Sequence, residues 1–354
     1  MHTQCFPLES WWLGFMKKGV LLVNLGTPDS PQTSDVRRYL DEFLMDERVI
    51  DINPIARALL IKGIIVPFRG PKSAKSYKEI WTEEGSPLLV YTVKATNLLK
   101  ERLGNEYHVE MAMRYQNPSI QSALDKLRAA QVTSIQVIPL FPQYASASTG
   151  SVHQKVMEIV SKWQAVPSIS FINSFYDNEL VIEAFAQNGA KHDPAKYDHV
   201  LFSFHGLPQR HMRKADETGQ HCLKVANCCD TITGANRFCY SAQCHATARL
   251  LAERLNIPKE KYTLTFQSRL GRDPWMQPYT SEVVAELAKK GVKRMLVFCP
   301  AFVADCLETV YEVSEEYNEE FKALGGEHIQ LVESLNDSPL WVDALEKMVR
   351  EEGF

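Results

Sequence analysis

Short apolar runs alternate with longer stretches of three- and four-residue apolar spacing along most of the chain. That alternation predicts strands followed by amphipathic helices. Residues 19–24 (GVLLVN) predict a strand, broken by Gly26-Thr27-Pro28. Ser34 then caps a helix over 34–44, with Val36, Leu40, Phe43 and Leu44 on one face. A second apolar helix is expected over 55–66, ending at Pro67, and a third opens at Gly85-Ser86-Pro87 and runs to about residue 103. Strands at 107–115, 134–139 and 169–172 alternate with helices at 120–130 and 178–188. The alternation then repeats: strands at 199–204, 262–267, from 295 and from 329, helices at 242–255, 281–290, to 324 and 340–351. Repeated strand–helix units predict α/β architecture, with parallel sheets covered by helices on both faces. Two such series predict two Rossmann-like lobes, with a hinge near 172–178. A single glycine after the first strand is not a G-x-G-x-x-G dinucleotide signature.

The pattern singles out two strand ends. The apolar run from His199 to Phe204 stops at His205-Gly206-Leu207-Pro208, so a histidine stands at the carboxyl end of a buried strand. Open α/β sheets place their ligand crevices there. A satisfied structural histidine is the alternative. The second end, Leu296-Val297-Phe298-Cys299-Pro300, leads into Ala304-Asp305-Cys306-Leu307-Glu308-Thr309. On an α-helix, Asp305, Glu308, Glu312, Glu316 and Glu320 form one stripe, and like charges four apart cost about 0.2–0.5 kcal/mol per pair. A solvated face explains Glu315 to Glu320. It does not explain Glu308, just past a buried strand, where a carboxylate suits acid–base work or a cation.

Composition changes the picture little. The 354 residues carry a net charge of −4 and no basic face, which speaks against nucleic acid. No apolar run is long enough to span a membrane. Residues 1–16 are apolar (Cys5, Phe6, Trp11, Trp12, Leu13, Phe15) without the basic start of a signal peptide. They are expected to be either a membrane-surface anchor or upstream translation before Met16-Lys17. Cys222, Cys228, Cys229, Cys239 and Cys244 lie close together among eight cysteines, and their irregular spacing suits an iron–sulfur cluster better than zinc. Unligated thiols are the plainer alternative. Among nearby residues, the hydroxyl-rich loop 142–150 can approach a flat ligand or simply lie on the surface.

Five motifs in order resemble the ferrochelatase family from about Lys17 onward. They are GVLLVNLGTP at 19–28, SFHGLP at 203–208, YSAQC at 240–244, TFQSRLGRDPW at 265–275 and ADCLET at 304–309. The resemblance implies a chelatase-like pair of lobes with a porphyrin cleft between them. It implies an enzyme that inserts ferrous iron into protoporphyrin IX, the last step of heme biosynthesis. By motif position His205, Glu308 and Glu312 are expected to be catalytic, with His205 and Glu308 also meeting the ferrous iron. Leu25, Arg114, Tyr115 and Trp275 are expected at the porphyrin. The longer segment 212–239 resembles the insertion of members carrying a [2Fe–2S] cluster. Cys222, Cys229, Cys239 and Cys244 are expected to hold it, with Cys228 as alternate, since adjacent Cys228 and Cys229 should not both point inward. The expected organisation is an extension at 1–16, lobes at 17–173 and 174–338, and a C-terminal helix at 339–354. A cytoplasmic protein is expected, with peripheral membrane contact and a heme-pathway enzyme as further partners. The alternatives are a chelatase for coproporphyrin or another divalent metal, and a non-catalytic tetrapyrrole sensor.

Overall fold

A computed structural model describes residues 17–269 and 273–351. Residues 1–16, the Leu270-Gly271-Arg272 part of the fourth motif and residues 352–354 lie outside the described residues.

Among the described residues, eight strands form two four-stranded parallel sheets. β1 (Lys18–Gly26), β2 (Tyr107–Tyr115), β3 (Ser134–Pro139) and β4 (Ser168–Phe171) pair in the order β2-β1-β3-β4. β5 (His199–His205), β6 (Tyr262–Gln267), β7 (Arg294–Phe298) and β8 (His328–Leu331) pair in the order β6-β5-β7-β8. The second order repeats the first, so the lobes share a topology. In each, the first strand is central and the chain turns to opposite sides of it. The carboxyl end of β1 and of β5 is therefore a topological switch point, where open α/β sheets place their ligands. Leu25 stands at one and His205 at the other.

The central strands read as unbroken apolar runs because both their faces are covered. Val20 to Val23 and Leu201, Phe202 and Phe204 have no exposed surface. One core runs through both lobes: Val20, Leu22 and Leu99 join Phe202, Phe298, Trp341 and Leu345. The C-terminal helix Pro339–Glu351 carries this core back onto the first lobe, where Arg102 pairs with Asp343 and Gln136 Nε2 donates to the Met348 carbonyl at 3.1 Å.

Two helix expectations need correction. The helix expected to stop at Pro67 continues: Pro54–Leu60 passes through a π-turn at Ile61–Ile65 into Val66–Ile80. The wider turn shifts the hydrogen-bond register, so Pro67 falls in the first turn of a new α-segment, where no N–H is required. These segments, with the helix Thr33–Met45, form a helical lip on the first lobe. Ile55, Leu59, Ile64 and Phe68 are exposed on its outside. The acidic helix is π-helical over Leu307–Tyr317 and α-helical only at Asn318–Ala323. With more residues per turn, Glu308, Glu312 and Glu316 come nearer to one line. Asp305 precedes the helix. Its oxygens accept from Asn336 Nδ2 at 2.8 Å and Ser334 N at 3.1 Å, so it anchors a loop rather than continuing the acidic row. Among the described residues no helix is long and apolar enough to cross a membrane.

Candidate active site

His205 ends β5, and its exit is held tightly. Gly206 N donates to the Gln267 carbonyl at 2.8 Å, and Met276 N to the Leu207 carbonyl at 3.0 Å. Pro208 bridges to Trp275. A Cβ on Gly206 would stand 2.8 Å from the Gln267 carbonyl and 3.3 Å from the Trp275 ring, so only glycine allows this approach. The result sets the Trp275 indole against the backbone beside His205. Trp275 itself is 9% exposed.

The His205 imidazole is partly exposed, and burial pushes its pKa below the ordinary value. The Glu308 charge pulls the other way without overcoming it, while Arg69 adds to the lowering. His205 is thus a neutral base at neutral pH.

Glu308 sits in the first turn of the π-helix, whose start is closed by Cys306 N donating to Thr309 Oγ1 at 3.0 Å. The lip reaches this point. Tyr39 and Tyr77 lie within range of the Glu308 charge, although burial is the larger cause of their raised pKa values. Leu307, Val310 and Tyr311 pack on the same lip core as Leu25. So the first lobe faces Glu308 directly.

Gln267, buried at the end of β6 beside His205, joins the pieces. Its Oε1 accepts from Ser203 Oγ at 2.7 Å, and its Nε2 donates to the Glu308 carbonyl at 2.8 Å and to Glu312 Oε2 at 3.1 Å. Ser268 Oγ donates to the same Glu312 oxygen at 2.6 Å. Burial and then the Glu308 charge raise the Glu312 pKa to about 7, despite these donors. A cavity of about 390 Å³ opens here, with Arg69 and Lys72 of the lip on one side and Ser268, Glu312 and Glu316 on the other. Among the described residues no three His, Cys, Asp or Glu side chains converge to hold a metal ion. His205 and Glu308 make at most an open pair.

Residues 17–353 match the family model described as Ferrochelatase. The chain belongs to the ferrochelatase family. It is 44% identical to a ferrochelatase of Legionella pneumophila (strain Lens), over 95% of this chain and 100% of that one. It is 45% identical to one of Pseudomonas fluorescens (strain Pf0-1), over 92% and 95% of the two chains. Among solved structures it resembles SirB from Bacillus subtilis with Fe3+, at TM-score 0.55 and 14% identity, over 96% of each chain. That likeness speaks for the two-lobed fold.

Other expected ferrochelatase residues have different surroundings. Tyr115 has 0% of its surface exposed and Phe43 packs on its ring, so it offers no face to a porphyrin. Its hydroxyl donates to Asp46 Oδ2 at 2.9 Å. Arg114 is likewise committed: Nη2 donates to Asp46 Oδ2 and Nε to Ser151 Oγ, each at 2.6 Å. Burial works against the Asp46 charge, but the Ser151 hydroxyl donating to Oδ2 at 2.5 Å, then the Arg48 N–H, Arg114 and Tyr115, bring its pKa below the ordinary value. Arg114 and Tyr115 hold Asp46, and the Tyr115 ring is fully covered. Asp46, Gln267, Ser268 and Arg69 went unnoticed in the sequence. Only Gln267 and Ser268 carried a signal there, inside the fourth motif.

In the cysteine segment, the Cys239 thiol is within hydrogen-bonding reach of both Cys222 and Cys229, and Cys228 Sγ lies 3.8 Å from Cys229 Sγ. Adjacent Cys228 and Cys229 therefore do point the same way, contrary to expectation, because the turn Asn227–Asp230 folds them together. Cys244 differs: it is fully buried on the helix Tyr240–Arg254, with the Tyr240 hydroxyl as its side-chain partner. The thiols touch in a chain rather than around one point, so they do not outline a single-ion site. Asp216 organises the segment, accepting from Cys222 N and His221 N at 2.8 Å.

Proposed function

We propose that this protein inserts ferrous iron into protoporphyrin IX to form protoheme, the last step of heme biosynthesis. The observation that carries the reading is a neutral histidine at a switch point with Glu308 and Glu312 beside it, facing the lip of the other lobe. Iron insertion replaces two pyrrole N–H protons by one Fe2+, so the site must accept two protons. His205, neutral and partly exposed, accepts one. Glu308 and Glu312 take the second and pass it toward the open cavity, where Glu316 continues the row. Trp275 and Leu25, each at a strand-end switch point, are suited to be apolar walls for a flat ring, and remote binding energy can bend a ring held by such walls. Arg69 and Lys72 are suited to pairing with the two propionates at the mouth.

Anaerobic addition of Fe2+ to protein and protoporphyrin tests this. The porphyrin fluorescence falls as heme absorbance rises, at a rate proportional to protein. No heme above the protein-free control would sink the reading.

We further propose that Cys222, Cys228, Cys229 and Cys239 hold a [2Fe–2S] cluster. Their thiols gather in one partly buried place, and no disulfide ties them up. When bound, the cluster would cross-link the segment and lend it stability. Cys228 replaces Cys244 in this set because the Cys244 thiol is turned into the core. Protein purified without oxygen is expected to contain two irons and two sulfides per chain by this reading. Cys228→Ser should lose both, and Cys244→Ser should keep them. The reverse pattern would return Cys244 to the set.

A further inference from the structure

Asp51 lies between the lip helices Thr33–Met45 and Pro54–Leu60, and its side chain is only 13% exposed. Both of its oxygens are taken by the opposite lobe. Oδ1 accepts from Arg210 Nε and Nη2, each at 2.7 Å, and Oδ2 from Lys214 Nζ at 2.6 Å. Burial opposes the Asp51 charge, yet these bonds, with His211 close by, hold its pKa far below the ordinary value. Arg210 also pairs through Nη1 with Asp273, on the loop just before Trp275. Arg210 itself is in the first turn of the helix Gln209–Ala215, directly after the His205 exit. One guanidinium thus joins the lip, the Trp275 loop and the His205 strand.

The interface around this bridge is not packed solid. A cavity of about 600 Å³ separates lip residues such as Ile52 and Arg57 from His211 and Lys214. On the far side of the lip, Leu307, Val310 and Tyr311 make apolar contact. The lip is therefore held by an apolar seam at one edge and by ions across a void at the other. Apolar contact tolerates small rotation, whereas a carboxylate held by two guanidinium nitrogens specifies direction as well as distance. The ionic edge is the one that can let go.

We propose that Arg210 is a positioning residue that latches the lip through Asp51 and the Trp275 loop through Asp273, and so sets how long the slot stays closed on a bound tetrapyrrole. The inference rests on the ferrochelatase reading. The test measures protoporphyrin affinity and release by fluorescence, with anaerobic KM and kcat, in the full chain. Arg210→Gln and Asp51→Asn are each expected to raise the dissociation constant and release rate about tenfold or more, the scale of a lost hydrogen bond to a charged group. KM rises with them, while kcat holds within about twofold. The double variant should be no worse than the worse single one, because both remove one contact. Arg210→Lys should recover part of the loss. Asp273→Asn, a change at an exposed side chain, keeps the fold and should shift release in the same direction. Parent-like affinity and release in folded Arg210→Gln, or in Asp273→Asn should Arg210→Gln misfold, would overturn the latch. So would additive single effects, or a fall of kcat and thermal midpoint with KM unchanged. A parent protein that fails to bind protoporphyrin would instead overturn the ferrochelatase reading.

Discussion

His205→Ala is expected to fold, bind protoporphyrin with near-parent affinity and lose iron insertion by about 10²–10⁴-fold, the usual contribution of a positioned general base. The strand that carries His205 is held by its neighbours, not by the imidazole: β5 pairs along its length with β6 and β7, and Gly206 to Pro208 are fixed through backbone bonds. Truncation there removes a partly exposed ring and leaves the apolar run intact. What disappears is the acceptor for a pyrrole proton. Burial keeps that imidazole neutral where the reaction runs, so His205 should add no acid limb of its own to the parent rate profile. Porphyrin quenching of tryptophan emission checks binding, and the anaerobic assay checks turnover. Parent-like turnover in the variant would remove His205 from the chemistry.

Glu308→Gln is expected to keep porphyrin binding and lose most of the insertion rate, and it has a second, separable consequence. The Glu312 pKa of about 7 rests on burial first and on the Glu308 charge second. Removing that negative charge makes Glu312 easier to ionise, so its pKa must fall, while burial keeps it above the usual carboxylate value. Carboxyl titration by infrared or NMR spectroscopy in metal-free protein should show this downward move. In parent protein the acid limb of the rate profile should lie near pH 7, because Glu312 accepts a proton only once ionised. An unmoved Glu312 titration in Glu308→Gln would show that the two carboxylates act independently.

The site was legible where chemistry coincides with a strand end. His205 could be placed from a local apolar run and its breakers, because a parallel strand must end where its ladder ends, whereas Leu25 came only from the resemblance. Glu308 was legible as a carboxylate out of keeping with a solvated face. The row behind it was misjudged at Asp305, which spacing cannot distinguish from its neighbours; its loop partners Ser334 and Asn336 are distant in sequence. Likewise nothing local marks Asp46. It matters because β2 delivers Arg114 and Tyr115 to it, and Ser151 arrives from a third element.

By itself, the order of residues determined the two parallel α/β series, the strand ends and the family, since each depends on short-range pattern or on motifs read in sequence. Tertiary structure alone decided which side chains share a hydrogen-bond network, which thiols meet and which ions cross between lobes. Burial and charge act through space over a few ångströms, and sequence distance does not record that separation. Gln267 binding Glu308 and Glu312, Cys228 Sγ beside Cys229 Sγ, and Arg210 reaching Asp51 are three instances.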